Sequence, residues 1–528
     1  MYIEPNTTIK LYSGIPLDNS YKNTLYFANL SAQTSYFHGG ISKYTLARQS
    51  YQRVERGRMR VELLADNIYD CNYLAFQNEN FGNKWFYAFI TGVEYVNNTT
   101  SEITFEIDVM QTWYFDYTLL NSFVEREHTN DDTIGSNLVD EGLELGEYVI
   151  GDSDSLGLDE YNIVVMTSEY FDDPVSSYPN VNWKYAGVTL VGGTLQACHY
   201  WVYNTDDIGR GQLEALIDVF SRAGKPDEIL GIFLLPKMFS GSVGSATPFV
   251  KPKQVDKKYE SFDGYTPRNN KLYTYPYNFL YVTNMQGNSA VYPYEYFTGS
   301  SGKCDFNIYG IWTANCELTL FPMNFKTTGI NKDESLSIKG FPQCAYTVDA
   351  YRAWLAQNSA QIWTGISLSS GTMLGSGAIL AQSIGASAGL GMLGPLGLFA
   401  GLTSIVGSLA RIQDRSVQPK QTKGVDTNTN LTGARLLDFV FMNKHIRGEF
   451  ARIIDNFFTM YGYKTNRVKI PNIHARQRWT YTKTIGCNLK GECPVKHLEK
   501  IIQIYDNGIT FWVNPSEVGN YSLSNPTI

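Results

Sequence analysis

From Glu102 to Val109 the chain alternates strictly, with Ile103, Phe105, Ile107 and Val109 apolar and Glu102, Thr104, Glu106 and Asp108 polar. A period of two marks a strand with one face buried. With Asn97, Asn98 and Thr99 supplying turn chemistry, residues 84–113 predict an antiparallel hairpin, and the first 150 residues as a whole read as strands and turns. Strands are expected again over 161–203, with Gly192 and Gly193 as a turn, and over 235–347, where Gly, Pro and Asn punctuate short runs. Helical spacing interrupts this pattern in a few places. Leu213, Leu216, Ile217 and Phe220 share one face of a helix over about 211–223, stopped by Gly224 and Pro226. Asp349 can cap a helix over 348–358 that sets Tyr351, Trp354 and Leu355 on one side. Phe450, Ile453, Ile454, Phe457 and Phe458 give residues 449–462 an apolar side, and a last helix over 497–508 runs into a strand at 509–513. The expected class is therefore mainly β (α+β) with a few helices, in a chain too long for one compact core. Its pattern divides it into 1–155 (β), 156–250 (α+β), 251–348 (β), 349–430 (helix, apolar segment and polar linker) and 431–528 (α+β).

One segment follows neither period. From Ala353 to Ala410, 58 residues counting both ends (410 − 353 + 1), there is no Asp, Glu, Lys, Arg or His. A helix needs about 20 apolar residues to cross a bilayer, so the run is long enough for two passes with a break at Pro395. It holds 11 glycines, among them pairs four apart at Gly371 and Gly375, Gly385 and Gly389, and Gly397 and Gly401. Small residues at that spacing let helices approach closely in lipid, and they also keep the segment flexible. A buried hairpin and a constitutive anchor are the other readings. Against the first, each glycine weakens a core helix by about 1 kcal/mol relative to Ala. Against the second, Arg411 and Arg415 make only a thin basic flank. The residues expected to meet a membrane are Trp363, Ile366, Met373, Leu374, Ile379, Leu380, Ile384, Leu390, Met392, Leu393, Leu396, Leu398, Phe399, Leu402, Ile405 and Val406.

Composition narrows the function. A net charge of −8 argues against gripping nucleic acid by neutralising phosphates, though it does not stop DNA passing by. The 37 Tyr and 28 Phe tilt the balance further towards pleated surfaces. Seven widely spaced Cys are no disulfide scaffold and suggest manufacture in a reducing cytosol, and the first residues have no leader-like apolar run. Gly389, Gly391 and Gly394 match GxGxxG, with Asp414 downstream, but no strand precedes them and Pro395 follows at once. Glu125, Glu127, His128, Asp131 and Asp132 could in principle form an acid/base pair or bind a metal; a solvated strand end leading into a charged turn is the commoner meaning. Asp152 with Asp154 is a weaker version of the same pattern. Five residues separate Cys487 from Cys493, more than zinc ligands usually show, so with His497 they read as a turn flanked by free thiols. Tyr36 and His38 are expected at a strand end. No enzyme, cofactor or metal is expected.

Several stretches taken together resemble a known family. Residues 8–27, 105–128, 349–358, 455–472 and 508–512 are similar, in the same order, to the major tail protein or distal tail knob of small short-tailed phages of Gram-positive bacteria. That resemblance implies β-barrel or sandwich-like tail-tube domains assembling into a homohexameric tube at the virion's distal tail, in contact with other tail proteins. It also implies a long hydrophobic loop from each subunit that plugs the lumen. On infection the loops would enter the host cytoplasmic membrane as a channel through which viral DNA passes without specific binding. The uncharged run occupies the corresponding position, with Pro395 and the paired glycines giving the loop its flexibility. A tail-tip cell-wall hydrolase and a receptor-binding adhesin are the alternatives.

Overall fold

The computed structural model describes residues 6–49, 57–79, 82–158, 160–168, 182–189, 195–225, 228–240, 249–299, 302–310, 317–339, 343–344 and 438–528. The Gly192 and Gly193 turn, the helix expected over 348–358, the uncharged run and the polar linker after it lie outside them. The chain is mainly β and divides into two compact units, one made of residues 1–147, 261–277 and 446–528, the other of 148–260 and 278–445. It crosses from one to the other four times.

The first unit holds a six-stranded antiparallel sheet and a five-stranded one. In the former, Trp85–Asn97 and Thr100–Ile107 form the expected hairpin, and Ser101, Ile103, Phe105 and Ile107 point inward. The alternation stops at Asp108 rather than at Val109. The Asp108 carboxylate accepts from the N–H groups of Met110 and Gln111, which turns the chain into the short helix Val109–Thr112. The five-stranded sheet runs Asn23–Leu25, Ile509–Trp512, Trp479–Ile485, Ser122–Glu127, Tyr463–Lys469. Trp479 and Trp512 pack at 5.1 Å between ring centroids, and each indole N–H is satisfied at 2.8 Å, by the Thr459 carbonyl and by Asn23 Oδ1 respectively.

The second unit carries sheets of five, four and four strands. Tyr161–Thr167 lies between Leu195–Tyr203 and Ile229–Pro236 and is apolar throughout its middle, as a strand buried on both faces must be. The helix Asp207–Arg222 begins four residues before the expected start, and Asp206 accepts from the Gly209 N–H within its first turn. Its predicted face is the buried one: Leu213, Leu216, Ile217 and Phe220 join Val164 and Trp201 in the core.

The helix Gly448–Tyr461 is turned differently from its apolar pattern. Ile454 and Phe458 are buried, Phe450 and Phe457 half-buried, and Ile453 is 65% exposed, while Asp455 faces inward with no exposure. The loop 261–277 explains the rotation. Asp455 accepts from the Tyr265 hydroxyl (2.6 Å), the backbone N–H groups of Arg268 (2.8 Å) and Asn269 (3.1 Å), and the Asn269 side chain (2.7 Å). A buried carboxylate this fully bonded outweighs one exposed isoleucine. Asp455→Ala removes the acceptor for the Tyr265 hydroxyl and for the Arg268 and Asn269 N–H groups and is expected to destabilise this unit by about 3 kcal/mol, read as an earlier urea transition together with faster proteolysis within 261–277.

Candidate functional site

The acidic cluster is where the sequence gathers most titratable groups, and its strand explains its fate. Ser122–Glu127 pairs on both sides, with Tyr463–Lys469 and with Trp479–Ile485, so its far end is enclosed. Glu127 and His128 are buried there, not solvated as expected, because the sequence cannot show that strands from the other end of the chain flank them. Glu127 is ion-paired with Lys469 and accepts from the Asn472 N–H at 3.0 Å. His128 Nδ1 accepts from the Tyr481 N–H at 2.8 Å, which leaves the proton on Nε2, 3.2 Å from the Thr459 carbonyl. Burial and the nearby Arg476 guanidinium hold this imidazole neutral, pushing its pKa down to about 3.

The rest of the cluster is tied in the same way. Asp132 accepts from the Tyr463 hydroxyl and lies 3.5 Å from Arg476, and burial raises its pKa. Asp131 accepts from the Thr133 N–H at 2.9 Å, and Glu125 meets Lys483 at 2.8 Å. Glu141, which the sequence reading passed over, is a hub: it takes ion pairs from Arg126 and Lys271 and a hydrogen bond from the Lys464 N–H at 2.9 Å. Burial lowers the Lys271 pKa against the pull of that carboxylate. Each acid is thus held by donors of its own chain, which makes the cluster a clamp between strands.

The smaller candidates resolve similarly. Tyr36 and His38 lie on the helix Leu30–His38, capped by Asn29 and ended by Gly39, rather than at a strand end. The Asn before the run and the Gly after it were the legible signals. His38 sits 4.0 Å from the Trp85 ring and within 3.4 Å of the Tyr12 and Tyr87 hydroxyls, and burial, with Lys10 nearby, lowers its pKa to about 4. Cys487 and Cys493 are free thiols; burial raises both, Cys487 to about 11. His497 Nδ1 accepts from the Trp113 indole at 2.8 Å, so that nitrogen is already engaged. Asp152 and Asp154 pair with Lys258 (3.0 Å) and Lys253 (2.6 Å) at the surface. Among the described residues no group of three or more His, Cys, Asp or Glu side chains could hold a metal ion.

The membrane-contacting set expected from Trp363 to Val406, with Pro395 and the paired glycines, lies outside the described residues; the nearest described residues on either side both belong to the second unit. Before it, Gln343–Cys344 pairs with Phe233 and Ile232. After it, Asp438 is buried and accepts from the Gly157 N–H at 3.2 Å, and Phe439 and Phe441 enter the core of the second unit. Both flanks therefore belong to one folded unit.

Comparison with known proteins gives this arrangement its context. Residues 5–118 match the family described as the caudoviral major tail protein N-terminus. Residues 243–526, just over half of it, match the C-terminal domain of the tail knob protein gp9 of Bacillus phage phi29. The chain belongs to this tail knob family. It is 28% identical to tail knob protein gp9 of Bacillus phage phi29 over 594 aligned positions and 26% identical to that of Bacillus phage B103 over 601, each alignment covering 98% of both chains. The structure of the bacteriophage C1 tail knob protein gp12 matches with a TM-score of 0.59 at 16% identity, over 99% of this chain and all of that one, and shows the shared fold. The protein is accordingly a structural component of the virion tail and not an enzyme.

The clamp has a measurable pH signature. The unfolded chain protonates His128 near pH 6.5 and the folded one only near 3, so acidification through that window favours unfolding. Compared with His128→Gln, the wild type should lose about 1.4 kcal/mol more per pH unit between 6 and 4, as urea titrations of both proteins at each pH would show.

Proposed function

We propose that this tail knob protein assembles as a homohexameric tube whose uncharged segments plug the lumen, then enter the host cytoplasmic membrane and form a channel for the genome. One observation carries the reading: 58 consecutive residues without a charge, in a chain whose nearest described residues on either side belong to a single folded unit. A segment of this kind on the surface of a lone subunit would be an aggregation hazard, whereas several copies can shelter one another inside a ring. Among the described residues no helix is long and apolar enough to cross a membrane, which leaves the uncharged segment as the candidate. The chain's negative charge suits a conduit that lets DNA slide instead of binding it. Assembly in the host cytoplasm, contact with other tail proteins and passage of the host membrane complete the proposal.

The test is dye release from liposomes by the full chain and by a form lacking residues 360–410, each first checked for a hexamer by light scattering. Release by the full chain alone, with both forms hexameric, is the expected result. Leu398→Asp with Phe399→Asp should leave the hexamer intact and cut release by about tenfold or more, because a carboxylate at the bilayer centre costs about 3 kcal/mol. Loss of the hexamer in these variants would instead make the segment part of the core.

A further inference from the structure

Among the described residues, two surfaces of the first unit are apolar without a cover, and they complement each other. The first lies at the Tyr463–Lys469 edge of the five-stranded sheet. Val468 stands opposite Phe123, and Phe123 opposite Ile485, so the three form one cross-strand row on one face. They are 70%, 37% and 57% exposed. Three adjoining apolar side chains in water, running in to the sheet from its edge strand, call for a partner. That partner does not add a strand in register, because the edge is bulged at Asn466, whose φ is 45°. On the opposite face of the same edge strand the neighbouring residue, Arg467, is exposed and makes no ion pair among the described residues.

The second surface is the tip of the hairpin formed by Trp85–Asn97 and Thr100–Ile107. Tyr95 and Val96 are 55% and 41% exposed, and the Tyr95 hydroxyl donates to Asn98 Oδ1 at 2.6 Å, which fixes the ring. Glu94 is exposed and stands directly opposite Glu102. Like charges facing across a ladder repel. Glu102 is relieved by Arg58 and Arg60, at 3.2 and 3.1 Å, while Glu94 has no cation among the described residues.

We infer that the hairpin tip around Glu94 and Tyr95 docks on the Arg467–Val468 edge of a second copy of the chain. The pleat makes the fit specific. A tip with acid on one face and an aromatic ring on the other matches an edge with a cation on one face and an apolar row on the other. Since the two surfaces are different and both belong to each copy, the contact is head-to-tail, the kind that closes into rings. The inference rests on the oligomeric part of the proposed function and supplies the contact it needs.

The test uses the full chain. Glu94→Cys combined with Arg467→Cys should give, on mild oxidation, a ladder of disulfide-linked copies that neither single variant gives. Independently, Glu94→Arg or Arg467→Glu alone should weaken assembly by about tenfold in sedimentation, and the double reversal should restore it. Rescue by the double variant is an outcome that misfolding would not produce. A wild-type hexamer with neither ladder nor charge-reversal effect overturns this contact, leaves the tube standing, and gives the apolar row to a lipid surface or another tail protein. A wild-type monomer overturns both.

Discussion

Burying charge is costly unless every charge finds a partner, and the first unit is organised around meeting that demand. Ser122–Glu127 carries acid and base into the middle of a sheet. The strands on either side, from the far end of the chain, bring the cations and hydroxyls that make burial tolerable. Glu127 with Lys469, Glu141 with Arg126 and Lys271, and Asp132 with Tyr463 and Arg476 are therefore one solution. Removing a single member leaves an uncompensated charge, so the network is stricter about its composition than an apolar core of equal size. Asp455 extends the same logic by fastening the 261–277 loop to the helix that carries it.

The two interleaved units divide the molecule's features between them. The second unit holds both flanks of the uncharged segment, in the pairing of Gln343–Cys344 and in the burial of Asp438, Phe439 and Phe441. The first unit holds the ionic clamp and the two complementary apolar surfaces. The two sets of features thus sit in separate cores.

What could be read beforehand was local, and what could not was long-range. The alternation through Ile103, Phe105 and Ile107 gave the hairpin, and the spacing of Leu213, Leu216, Ile217 and Phe220 gave the buried face of a helix, since both signals lie within one element. Ile453 misled because its helix is oriented by Asp455, whose partners come from a loop nearly two hundred residues earlier. The burial of Glu127 and His128 was illegible for the same reason, because solvation depends on which strands arrive as neighbours. Glu141 escaped notice because nothing nearby in sequence marks a hub whose partners, Arg126, Lys271 and Lys464, are scattered along the chain. The uncharged run was the opposite case: a feature of composition needs no partner to be seen.

The sheet built from both ends of the chain also bears on synthesis. Arg126 donates to the Gly462 carbonyl across 336 positions, and the strand that carries Arg126 has no neighbours until Tyr463–Lys469 and Trp479–Ile485 have been made. During translation the early part of this unit waits with its edges open until those strands emerge. A polypeptide cut before Tyr463 lacks Lys469, the cation that pairs with Glu127, and cannot complete the sheet. Completion of this unit therefore depends on chain that emerges 336 positions after Arg126.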